Sequence, residues 1–81
     1  MLKAIYYNNG FKIMAEYDEN DHLIDSEFLV FKLQHGKYTR MHNRKGPFDV
    51  SGVFCASFPL YDTAVDYIKK SGRESHHRQP E

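Results

Sequence analysis

Apolar and polar positions alternate most clearly over residues 2 to 17, where two alternating segments flank Asn9-Gly10. That dipeptide suits a type I′ turn, whose two central residues both take positive φ, so the pattern predicts a two-residue β-hairpin. With Asn8 set opposite Phe11, one face of the ribbon carries Leu2, Ala4, Tyr6, Phe11, Ile13, Ala15 and Tyr17, and this face is the expected core. The opposite face is mixed, with Lys3, Ile5, Tyr7, Lys12, Met14 and Glu16. On it Lys3 and Glu16 are expected to form a cross-strand ion pair.

Further along, Asp18-Glu19-Asn20-Asp21 is a polar turn cluster, and His22 to Asp25 is long enough only for a brief edge strand or an irregular return. Glu27 to Leu33 is rich in strand formers, and Gln34-His35-Gly36 separates it from a weaker alternation over Lys37 to His42. The two segments read as a second hairpin. A two-residue His35-Gly36 loop and a three-residue loop with left-handed Gly36 both fit; Leu29, Phe31 and Leu33 are expected to face inward. Asn43 to Pro47 has no apolar side chain before its Gly-Pro and reads as a surface loop. Phe48 to Phe58 follows as a last strand, with Phe48, Val50, Phe54, Ala56 and Phe58 on one face and a bulge or bend at Gly52.

The period then changes from two to 3.6. Tyr61, Ala64, Val65 and Ile68 fall at i, i+3, i+4 and i+7, which predicts an amphipathic helix after Pro59, with Asp62 near its start, Lys69 and Lys70 near its end and Gly72 just beyond. Residues 73–81 are entirely polar apart from Pro80 and are expected to be a disordered tail. The fold class is therefore α+β: an antiparallel sheet of four to five strands, two hairpins plus a final strand, packed against one C-terminal helix in a single domain over residues 1–72.

Composition adds three constraints. With six Phe, six Tyr and no Trp in 81 residues, the core is expected to be aromatic-rich. The one cysteine, Cys55, cannot form an internal disulfide, and no apolar stretch approaches the ~20 residues of a membrane span or resembles a leader. A cytoplasmic protein is expected. Charge balances at 11 basic and 11 acidic residues but is segregated: Glu16 to Glu27 holds six acids and no Lys or Arg, while Lys32 to Lys45 holds five basic residues and no acid.

Most chemistries find no support in the residues. His22, His35, His42, His76, His77 and Cys55 do not fall at zinc-ligand spacing, and the acidic run fails as a calcium loop because Leu23 and Leu29 stand where Gly and a bidentate Glu are needed. Cys55 lies between Phe54 and Ala56, where a thiol stays protonated and inert. Ser51, Ser57 and Thr63 have no nucleophile-elbow context, and no phosphate loop is present in the sequence. Neither an enzymatic activity, a metal nor a cofactor is expected.

Two binding readings remain. A small non-enzymatic regulator or inhibitor would bind a larger host protein through the sheet surface, with Tyr7, Met14, Tyr38 and Arg40 as contact residues, because Tyr, Met and Arg are enriched at interfaces. In being short, aromatic and without catalytic motifs, the chain is similar in kind to accessory proteins of phages and mobile elements. Alternatively the basic hairpin over residues 32–45, with Lys32, Lys37, Arg40, Arg44 and Lys45, would contact phosphates of a nucleic acid. The chain would act as a monomer, or as a homodimer paired through an open sheet edge.

Overall fold

The computed structural model describes residues 1–24, 27–43 and 46–77, with side chains left out for Asn43 and residues 72–77. Within them six strands, β1 (Leu2–Asn8), β2 (Phe11–Glu16), β3 (Phe28–Lys32), β4 (Tyr38–Asn43), β5 (Gly46–Ser51) and β6 (Val53–Phe58), precede one helix, α1 (Tyr61–His77). All strand pairings are antiparallel, and the class is α+β.

The first hairpin forms at Asn9-Gly10, where φ is 53° and 79° and Asn8 faces Phe11. Four residues back from the turn the expected register breaks. A bulge at Ile5 sets Ala4 opposite Met14, Lys3 opposite Ala15 and Leu2 opposite Glu16. Because the side-chain period is two, this one extra residue moves Leu2 and Ala4 off the core face and brings Ile5 onto it beside Tyr6. The expected Lys3 and Glu16 pair is lost for the same reason. Lys3 instead meets Asp21 and lies over the Tyr17 ring, and Glu16 accepts from the Met1 amino group at 2.6 Å.

The four-stranded sheet has the order β1-β2-β3-β6. On one face, α1 lays Ala64 and Ile68 against Ile13, Ala15, Phe28 and Val30. Tyr61 meets Tyr6 and Phe28 edge-on at the helix start, and Phe58 packs on Tyr67. The helix continues through Gly72 to His77. Glycine is a weak helix former but not a stop by itself, and the first proline beyond it is Pro80. The Asp66 and Lys70 pair forms at 3.1 Å.

The second hairpin lies one strand later than the sequence predicts. Both edges of β3 are taken, by β2 and β6, so β4 pairs with β5 in a separate two-stranded sheet. Asn43 faces Gly46 and His42 faces Pro47, so strand pairing takes in both ends of the expected 43–47 loop; its Arg44 and Lys45 lie outside the described residues. The hairpin folds over the other face of the main sheet, placing Met41, Phe48 and Val50 against Leu2, Met14, Leu29 and Phe31. Strand β2 is thereby buried on both sides, from Lys12 to Ala15.

Gly52 makes this crossing. At φ 108° it divides the single strand expected over Phe48 to Phe58 into β5 in one sheet and β6 in the other, and its N–H donates to Lys37 O at 2.7 Å. A second bulge, at Cys55, sets Phe54 opposite Phe31 but Ala56 opposite Val30. Phe48, Val50 and Phe54 consequently serve the hairpin side, while Cys55 and Phe58 pack on the helix side. Both outer strands of the sheet, β1 and β6, thus carry a bulge, a device that opposes edge-to-edge pairing with a second copy.

Candidate binding surface

The hairpin covers the centre of its sheet face and leaves the ends open. Register places Tyr7 opposite Lys12, Lys12 opposite Phe31 and Phe31 opposite Phe54, so one row of side chains crosses all four strands. Its middle is covered by β5, Phe31 fully and Lys12 to 6% exposure, whereas the end residues Tyr7 and Phe54 remain 61% and 41% exposed. The Phe31 and Phe54 rings meet edge-on at 5.7 Å, which holds Phe54 in place while leaving one face to solvent.

Tyr38 stands on the outer face of the hairpin. Alternation along β4 turns Thr39 and Met41 inward and Tyr38, Arg40 and His42 outward, and Tyr38 is 68% exposed. Beside it Arg40 Nε donates to Asp49 Oδ1 at 2.8 Å across the hairpin. The Thr39 hydroxyl donates to Gly52 O and accepts from Phe54 N–H at 2.9 and 3.0 Å, tying the start of β4 to the start of β6.

Of the four contact residues expected from the sequence, Tyr7, Tyr38 and Arg40 are exposed and lie on the side of the sheet away from the helix. Met14 is not available: it sits under Val50 in the second core cluster, because the face that looked half-polar in sequence is roofed by the hairpin. Phe54 and its exposed neighbour Val53 escaped notice in sequence. Strict alternation assigns Phe54 to the same face as Phe58, and only the Cys55 bulge separates them.

Among the described residues the basic side chains of this set are not gathered on one face. Lys32 projects from the helix side of β3, Arg40 from the outer face of β4 with Asp49 as its partner, and Arg44 and Lys45 fall outside the described residues. Lys37 is exposed at the turn that enters β4. In the acidic segment, Asp18 serves a local turn. Asp18 Oδ1 accepts from the Asn20 and His22 N–H groups at 2.8 and 2.9 Å, closing the turn that returns the chain to a single bridge between Tyr17 and Leu23. Cys55 is half-buried, its Sγ 3.4 Å from Val53 O. Among the described residues no three His, Cys, Asp or Glu side chains group as metal ligands, and no helix is long and apolar enough to cross a membrane.

Lys12 is the unexpected residue. Its ammonium donates to Ser51 Oγ at 2.9 Å and lies 5.9 Å from the centre of the Phe31 ring, with no carboxylate partner among the described residues. Burial holds its pKa below the ordinary lysine value. In sequence it reads as one more polar residue on a mixed face, and nothing local announces the roof above it. No protein family, curated protein or solved structure matches the chain.

Proposed function

We propose that this chain is a small non-enzymatic regulatory protein of the inhibitor type, which works in the cytoplasm by binding a larger protein through the side of its sheet that faces away from the helix. The observation that carries this reading is the pair of tyrosines, Tyr7 and Tyr38, exposed at 61% and 68% on that side. A tyrosine loses little entropy when immobilised and contributes a large amphipathic area, so exposed rings on rigid strands are suited to anchoring an interface. Arg40, held in position by Asp49, supplies a charged rim beside Tyr38.

The test is capture from host lysate with the tagged full chain, treated and untreated with nuclease. The expected result is one or a few proteins retained after nuclease treatment and lost when Tyr7 and Tyr38 are both changed to Ser, in a variant whose thermal transition matches the parent. Recovery that depends on nucleic acid and falls with Lys37→Ala and Arg40→Ala would replace this reading with the nucleic-acid one.

A further inference from the structure

The hairpin leaves one edge of β5 without a strand partner, and a groove runs along it. The groove is lined by Phe48, Asp49, Val50 and Ser51 of β5 and by Leu2, Lys12 and Met14 of the sheet below. Inward and outward residues of β5 both line it, and no residue of β4 does, so it follows the strand's free edge rather than one of its faces.

The backbone at that edge can be read from the ladder. In an antiparallel pair, residues that exchange hydrogen bonds with the partner alternate with residues whose N–H and C=O point away. Gly52 N–H donates to Lys37 O, so the bonded pairs continue at Val50 with Thr39 and Phe48 with Met41. Asp49 and Ser51 therefore turn their N–H and C=O groups outward, and among the described residues no other strand's backbone meets them. Pro47, two residues earlier, occupies the same outward register, where its missing N–H disturbs nothing in the β4 ladder.

Charge then selects the occupant. Lys12 is nine-tenths buried, yet among the described residues its ammonium has a serine hydroxyl as hydrogen-bond partner, an aromatic ring beside it and no carboxylate. The acid among the residues lining the groove, Asp49, is engaged by Arg40. A buried cation lacking a counter-charge destabilises the free protein and gains the most from an incoming anion. We propose that the β5 edge binds an extended acidic peptide segment, which adds as a third strand through Asp49 and Ser51 and places one carboxylate on the Lys12 ammonium. This deepens the reading of the chain as a protein-binding module, giving one contact its chemistry, and it rests on that reading. Strand addition supplies affinity through main-chain bonds, and the partly buried side chains of Leu2 and Phe48, which also line the groove, would accept a neighbouring aliphatic residue.

The experiment is selection of a phage-displayed random dodecapeptide library on the immobilised full chain, with a parallel selection on Lys12→Met. Expected are peptides of strand-forming residues with one fixed Asp or Glu, binding at least tenfold more weakly to Lys12→Met or when that acid becomes its amide. The best of them should shift the backbone amide resonances of Asp49 and Ser51. Selection of neutral or basic peptides, equal binding to Lys12→Met, shifts confined to other strands, or no enrichment at all would overturn the proposal. A Lys12→Met chain that still captures its protein through Tyr7 and Tyr38 while the selection fails removes the groove and leaves the wider reading standing.

Discussion

Gly52 and Lys12 show how single residues decide the architecture. A Cβ at Gly52 would lie 2.8 Å from Lys32 O, and the backbone there is at φ 108°, outside the range that L side chains adopt comfortably. Gly52→Ala should cost about 3 kcal/mol, combining backbone strain with displacement of β3, whereas Gly36→Ala, at φ 75° in open space, should cost about 1 kcal/mol. Urea unfolding of both variants checks the order, and equal effects would remove the crossing role. Lys12→Met should stabilise the fold by about 1 kcal/mol at pH 7, since it replaces a desolvated charge by an apolar chain of similar length. The sign of the pH dependence follows from the depressed pKa. Between that value and 10.5 the unfolded chain binds more protons than the folded one, so parental stability rises with pH and the advantage of Lys12→Met shrinks. Denaturation midpoints of the two proteins from pH 7 to 10.5 measure this, and a gap that is constant or reversed contradicts it.

At the scale of elements, legibility followed the reach of the signal. The Asn9-Gly10 turn, the core face at Ile13 and Ala15 and the helix face at Ala64 and Ile68 are local patterns, and each is realised. The bulges at Ile5 and Cys55 are not visible in the alternation, because period-two spacing carries no mark of which residue will be left unpaired. Pairing of β4 with β5 rather than β3 escaped for a different reason: it depends on β6 returning to occupy the edge of β3. The hairpin that results joins the rest of the fold through one small apolar cluster, the bonds of Thr39 to Gly52 and Phe54 and the bond from Lys12 to Ser51, while β2 is covered on both faces. Native-state hydrogen exchange should therefore find β4 and β5 amides opening at a lower free energy than those of β2 and β3. Uniform protection across all six strands would show instead that the roof and the sheet unfold as one unit.

For the whole molecule, three layers account for what is left exposed: helix, sheet and hairpin, in that order. The candidate surface was partly readable, since Tyr7, Tyr38 and Arg40 are exposed where an alternating strand puts them. Met14 and Lys12 were not, because their burial comes from a layer that no local pattern announces. The exposed tyrosines and the β5 edge alike depend on that hairpin lying over Met14 and Phe31. The most direct measurement is a set of nuclear Overhauser contacts in solution from the Val50 methyls. Cross-peaks to the Met14 methyl or the Phe31 ring, together with Ile68 contacts to Ile13 or Val30, are the predicted result. Val50 methyls with no contact to the sheet, and a Phe31 ring open to a soluble paramagnetic probe, would contradict it.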